Sequence, residues 1–177
     1  MVKKLVEPEK KILFDADVIL HFMKSGRIDI LPKLFKNEIC IPDMVKDELS
    51  RIKSTREYID NFIRMYKIEI IDFPHDLEIM QEYTKLRDGL GRGKGESACM
   101  AIARFKNNYI ASSNLKDIRD YCKTYNIKYY TTMDIIKIAF EKKLFDKNDI
   151  DNFIKKVKKK GSKLPVACFQ EFLEYFS

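Results

Sequence analysis

Residues 11–20 read KILFDADVIL, and the rest of the chain is best read outward from them. Three apolar residues, Ile12, Leu13 and Phe14, run unbroken into Asp15. A short apolar run that stops at turn-forming polar residues is the pattern of a buried central strand. In open α/β sheets, ligands collect at the carboxyl ends of such strands, and that is where Asp15 falls. Asp17 follows two residues later, and the apolar run Val18–Phe22 predicts a helix starting nearby. At this level two roles are open for the acids. They cap that helix by accepting backbone N–H bonds, or they belong to a chemical site.

Downstream, apolar periodicity and turn residues predict strands alternating with helices. Helices are expected at Val18–Lys24, Asp29–Phe35, Asp43–Ile52, Thr55–Tyr66 and Asp76–Arg87, then at Glu96–Lys106, Asp117–Tyr125, Thr131–Phe140, Asp146–Lys159 and Pro165–Phe176. Further strands are expected at Glu38–Ile41, Lys67–Phe73, Tyr109–Ser112 and Ile127–Tyr130. Pro42 suits the first turn of the helix after the second strand. The helix from Glu96 is apolar on most faces, which marks it as buried. Alternation of this kind specifies an α/β fold, a three-layer arrangement of a parallel sheet of about five strands between helices. With no internal repeat or linker, residues 1–177 read as a single domain, with 146–177 as a C-terminal helical extension of it.

Composition narrows the class. The chain is 45% hydrophobic with 12 Phe and 9 Tyr, enough for a real core. Few Pro and Gly argue against disorder. A net charge of +7 makes nucleic acid or another polyanion a plausible partner and says nothing about fold. Cys40, Cys99, Cys122 and Cys168 are widely spaced in apolar surroundings, so reduced buried thiols in a cytoplasmic protein are expected rather than disulfides or zinc ligands. Only His21 and His75 are present, which argues against a histidine metal centre or triad, and His21 on its apolar helix reads as structural. Met1–Lys11 is charged and lacks the apolar region of an export signal, and no run approaches membrane-spanning length.

The only glycine-rich stretch, Asp88–Gly95 (DGLGRGKG), is not a nucleotide loop. Gly93-Lys94 is followed by Gly95 instead of Ser or Thr, and Glu96 stands where a dinucleotide fingerprint needs its last glycine. What remains is Gly95-Glu96, an acid in the first turn of a buried helix, where the helix N-terminus favours negative charge. Glu48, beside Leu49 near the middle of its predicted helix, is a third acid, with Asp47 as its exposed neighbour. Carboxylates gathered in one pocket repel one another unless a cation is bound, and oxygen-only ligands suit Mg²⁺ or Mn²⁺. Such an ion activates water and stabilises the charge of an in-line phosphoryl displacement.

The order of Asp15 after the first strand, Pro42-x-x-Val45-x-x-Glu48, Gly95-Glu96-Ser97-Ala98 and a polar loop after the fourth strand resembles the PIN-domain nucleases, many of them toxins of bacterial and archaeal toxin–antitoxin pairs. The resemblance spans residues 10–140, and the tail from Asp146 is similar to a common PIN subgroup. It implies a Mg²⁺ or Mn²⁺ site, hydrolysis of single-stranded RNA and an antitoxin protein as partner; a homodimer is expected as well. Asp15, Glu48 and Glu96 match the family's metal-binding acids. The family commonly carries an acid-rich loop after strand four, where this chain reads Ser112-Ser113-Asn114. Asp117 is the expected fourth catalytic and metal-binding acid, with Asp17, Ser113 and Asn114 in support, and slow cleavage favouring Mn²⁺ is expected. Arg92, Lys94, Lys116 and Arg119 flank the site as candidate phosphate contacts, and Lys155–Lys163 carries six lysines without an acid.

Two other readings stand beside this one. Phe14-Asp15-Ala16-Asp17-Val18 also resembles the first motif of haloacid-dehalogenase-type phosphatases, with Asp15 as nucleophile and Asp17 as general acid. That reading leaves Glu48 and Glu96 without a role. The other is a PIN scaffold that has lost catalysis and serves as a binding module, motivated by Ser113-Asn114.

Overall fold

Ile12–Phe14 form β1, with every side chain sealed from solvent. A strand buried on both faces needs cover on both faces, as in parallel sheets. The computed structural model, which describes residues 10–177, has that arrangement. Most of the charged Met1–Lys11 segment lies outside the described residues.

β1 pairs in parallel with β2 (Ile39–Pro42) on one side and β4 (Tyr109–Ala111) on the other, so that Ile12 stands opposite both Ile39 and Tyr109. β3 (Glu69–Ile71) adds outside β2 and β5 (Tyr129–Tyr130) outside β4, giving the order β3-β2-β1-β4-β5 with every pairing parallel. The chain runs from β1 outward to β3, then returns across the sheet to β4. The direction of winding therefore reverses between β1 and β4, and a crevice opens at their carboxyl ends.

Helices flank this sheet. α1 (Ala16–Ser25) begins at Asp15, whose carboxylate accepts the Ala16 N–H, and stops at Gly26, whose φ of +76° is the left-handed conformation glycine tolerates. The helix expected at Asp29–Phe35 is split into a 3₁₀ turn (Ile28–Ile30) and a short α2 (Leu31–Leu34). Pro32 is the reason: without an N–H it fits a first turn and interrupts a continuous helix. α3 (Asp43–Leu49) starts after Pro42, which caps it instead of entering its first turn. α4 (Lys53–Tyr66) and α5 (Leu77–Thr84) follow, α5 widening into a π turn at Lys85–Gly89.

α6 (Lys94–Lys106) is buried continuously from Gly95 to Ala103 and packs against β1, β2 and β4 as well as α3 and α5. α7 (Leu115–Thr124), α8 (Thr132–Glu141), α9 (Lys147–Lys159) and α10 (Phe169–Tyr175) complete the chain. Reciprocal capping boxes, Thr131 with Asp134 and Asp146 with Asp149, open α8 and α9. α9 packs on α1, with the Phe22 and Phe153 rings 4.9 Å apart edge to face. The helix predicted from Pro165 begins only at Phe169, because the tail first docks on α9: Lys158 donates to the Val166 carbonyl, and Phe169 N–H donates to Asp151. Cys40, Cys99 and Cys122 are free and buried as expected, whereas Cys168 is only half-buried. No described helix is long and apolar enough to cross a membrane.

Candidate metal centre

The crevice between β1 and β4 is closed by two neighbouring residues of those strands. With Phe14 opposite Ala111, the next residues, Asp15 and Ser112, face each other, and Ser112 Oγ donates to Asp15 Oδ2 at 3.2 Å. Asp15 Oδ1 accepts the Ala16 N–H at 2.8 Å. Asp17 bridges the same junction, accepting Val18 N–H on Oδ1 at 2.6 Å and Ser113 N–H on Oδ2 at 2.9 Å. Both acids therefore accept backbone N–H groups at the start of α1, and both also line the groove at the carboxyl edge of the sheet.

Glu48 arrives from the opposite wall. The predicted helix Asp43–Ile52 ends at Leu49, which puts Glu48 in the last turn of α3 instead of its middle, with Asp47 exposed beside it. Glu48 Oε1 accepts Gly95 N–H at 3.0 Å, tying α3 to the start of α6. Only glycine fits this approach: a Cβ on residue 95 would fall 2.9 Å from Val45 Cγ2 and 3.0 Å from Glu48 Oε2. Gly95→Ala is accordingly expected to lower stability by about 1–3 kcal/mol through overpacking and to displace the Glu48 carboxylate. Urea denaturation combined with Mn²⁺ titration checks it, and unchanged stability with unchanged Mn²⁺ binding would refute the tight approach.

Glu96, one residue further, is 6% exposed, and its Oε1 is sealed from solvent with no hydrogen-bond partner among the described residues. Asp117, in the first turn of α7, accepts the Asn114 side-chain amide at 2.6 Å. Asp15, Asp17, Glu48, Glu96 and Asp117 thus line one open groove of about 390 Å³, together with Arg92 and Asn114.

Crowding these acids has an electrostatic consequence. Burial holds the Asp15 carboxyl well above the usual carboxylate range, and Asp17, Glu96 and Glu48 push it the same way. Burial also raises Asp17, against the pull of the Ser113 and Val18 N–H groups. Glu96 is pushed up to about 7 by burial and then by Asp117, with Arg92 opposing. A divalent cation would relieve all three shifts at once. The donor set is oxygen only, and the orphaned Glu96 Oε1 is an acceptor in need of a partner, so the residues fit Mg²⁺ or Mn²⁺. Among the described residues, no three of these carboxylates bring oxygens within 4.8 Å of one another. That spacing suits an ion that keeps several waters, as Mg²⁺ does.

The tighter cluster that does meet this distance, Glu38, Cys40 and Glu69, lies at the opposite, amino edge of the sheet. The Lys11 ammonium already bonds Glu69 there and lies 3.7 Å from Glu38, so this cluster has its own counter-charge.

Of the remaining candidates, Ser113 contributes its N–H to Asp17, while its hydroxyl turns away to Thr132 Oγ1 at 2.7 Å. Arg92 lines the groove, but Lys94, Lys116 and Arg119 are exposed outside it, because they sit on the outward faces of α6 and α7 near their starts. Ser112, the direct partner of Asp15, was not a sequence candidate. Only the β1–β4 register pairs the two residues, and that register has no local signal.

A five-stranded parallel sheet with an acid-lined groove at its winding reversal defines the class: an α/β protein with a candidate site at the carboxyl edge of its sheet. A family model described as a PIN domain matches residues 11–177, and the chain belongs to that family. The phosphatase reading is thereby set aside. No curated protein sequence matches the chain. Among solved structures it is similar to VapBC2 from Rickettsia felis bound to a DNA fragment from their promoter, at 18% identity and a TM-score of 0.50, covering 68% of this chain and 98% of that one. It is also similar to VapBC-1 from nontypeable Haemophilus influenzae (14% identity, TM-score 0.47, covering 69% and 98%) and to FitAcB from Neisseria gonorrhoeae (12%, 0.46, covering 68% and 97%). The first of these likenesses supports the fold.

Proposed function

We propose that the chain is a Mg²⁺- or Mn²⁺-dependent endoribonuclease of PIN type that cleaves single-stranded RNA. The observation that carries this reading is the groove that Asp15, Asp17, Glu48 and Asp117 line together with Glu96, whose buried Oε1 has no hydrogen-bond partner among the described residues. Asp15 and Glu96 would hold the cation, with Asp17 or Asp117 as the further carboxylate that the loop Ser112-Ser113-Asn114 does not itself supply. A cation held there supplies Lewis-acid activation of water and neutralises charge on the scissile phosphate. Glu48, kept in place by the Gly95 N–H, orients the attacking water or completes the ligand set. Arg92, the one cationic side chain lining the groove among the described residues, donates to Met100 Sδ at 3.1 Å and is the candidate contact for a phosphate oxygen.

The binding-only alternative has the acid-free loop in its favour. Against it, Asp17 is hydrogen-bonded to that loop and contributes a carboxylate at the same junction. The resemblance to toxin–antitoxin nucleases and the likeness to VapBC2 support an antitoxin protein as partner, and we read the chain as one cytoplasmic domain that forms a homodimer. Cleavage of a labelled single-stranded RNA should require Mg²⁺ or Mn²⁺, favour Mn²⁺, and stop on adding EDTA. Binding should weaken with salt as cationic side chains release counterions from phosphates. Cleavage that persists in EDTA would refute the proposal, and RNA left intact at every cation concentration would favour the binding-only scaffold.

A further inference from the structure

Beside the acidic groove lies a second, more enclosed pit of about 150 Å³, which the nuclease reading does not use. The two share a loop: Asn114 lines the groove, while Ser113 and Leu115 line the pit. His21 and Thr132 contribute to the lining from α1 and α8, and Lys163 and Tyr175 from the C-terminal segment. At about 30 Å³ per water the pit holds the volume of about five waters, room for one planar ring system and too little for a ring with its sugar and phosphate.

Its chemistry is that of a base pocket. Leu115 and the half-exposed Tyr175 give apolar and aromatic walls, and no acid among the described residues lines it. His21 is 7% exposed, and its Nδ1 is engaged with Thr132 Oγ1 at 2.8 Å. Its other ring nitrogen, Nε2, has no partner among the described residues and is not sealed from solvent. Burial pushes the His21 imidazole down to about 4, helped by Lys24, so near neutrality it offers hydrogen-bonding capacity without charge. Lys163 is exposed at the rim, and the lysine run Lys155–Lys160 leads up to it along α9. A bare phosphate would want several donors in place of apolar walls. A base wants a stacking face, a neutral polar edge and a cation nearby for its phosphate.

We infer that this pit, bounded by His21, Ser113, Leu115, Thr132, Lys163 and Tyr175, is a subsite for one unstacked base of the RNA, adjacent to the nucleotide whose phosphate lies in the acidic groove. The inference rests on the nuclease reading. It makes Tyr175 and His21 determinants of sequence context and gives the C-terminal tail a direct part in substrate binding.

The test uses the full chain with Asp15→Asn, to prevent cleavage, and fluorescein-labelled single-stranded RNA hexamers in which one abasic site is moved along the strand. Anisotropy should show one position where the abasic site weakens binding about ten-fold, the usual scale of losing one stacked base. In the Tyr175→Ala background that position should lose its special effect, whereas Tyr175→Phe should keep it. Lys163→Ala should reduce the salt slope of binding by about one. The subsite is overturned if RNA binds but every abasic position is equivalent, or if Tyr175→Ala leaves the abasic profile unchanged. Failure of the Asp15→Asn parent to bind RNA, together with no cleavage by the unaltered chain, would overturn the nuclease reading itself, and the subsite with it.

Discussion

Asp15→Asn is expected to lower RNA cleavage by about 10²–10³-fold, the scale on which a single preorganised electrostatic group acts in an active site, while leaving the fold intact. The two hydrogen bonds of Asp15 explain the selectivity. An amide oxygen can still accept the Ala16 N–H, and the amide nitrogen can donate to Ser112 Oγ in place of accepting from it. Shape and capping persist, and only the charge is lost. Because that charge is 6% exposed and crowded by Asp17, Glu96 and Glu48, removing it should also stabilise the cation-free chain. A variant that melts higher without cation, binds Mn²⁺ more weakly and cleaves poorly is the expected combination. Full cleavage by Asp15→Asn would remove the basis for the proposed site.

The second large effect is on stability as a function of pH and cation. Glu96 titrates near 7 in the folded chain, against an ordinary value of 4.5, and Asp15 is shifted in the same direction. Between these values the folded chain holds a proton that the unfolded chain has released, so stability falls as pH rises through the window from about 4.5 to 7. Without cation, the chain should therefore melt lower at pH 8 than at pH 5.5. Mn²⁺ at about 100 times its dissociation constant contributes about 2.7 kcal/mol by linkage, a rise of about 5–10 °C for a chain of this length. Protons compete with the cation for the same oxygens, so this rise should be larger at pH 8 than at pH 5.5. Glu96→Gln should flatten the pH dependence, raise the cation-free melting temperature at pH 8 and shrink the Mn²⁺ response. An identical Mn²⁺ shift in Glu96→Gln, read by differential scanning fluorimetry, would exclude Glu96 from the cation site.

The local signals that made the fold readable were of two kinds. Unbroken apolar runs such as Ile12–Phe14 can satisfy their burial only inside a sheet, and the apolar helix after Gly95 can satisfy its own only against that sheet. Boundaries were less legible, because they depend on contacts made elsewhere in the chain. α3 stops at Leu49 where its own sequence would continue, and α10 waits until Phe169 because residues before it dock on α9.

The sequence by itself determined the alternation of strands and helices, the position of Asp15 at the end of a buried strand, and the place of Glu96 in the first turn of a buried helix. These are short-range properties, set by apolar periodicity and turn chemistry within about a dozen residues. Glu48, expected near the middle of its helix, was moved to the last turn by the contacts that stop α3 at Leu49. The tertiary structure alone decided which strands are neighbours, and with that the rest of the site. The β1–β4 pairing sets Ser112 against Asp15 and brings Asp17 within reach of the Ser113 N–H. It also separated the cations, keeping Arg92, in the loop before α6, in the groove and leaving Lys94, Lys116 and Arg119 exposed on the outward faces of α6 and α7. Lys163 and Tyr175 reach Ser113 and Leu115 only because α9 packs on α1 and carries the tail back to the carboxyl edge of the sheet. Contacts across such sequence distances arise from packing of whole elements, which no local pattern encodes.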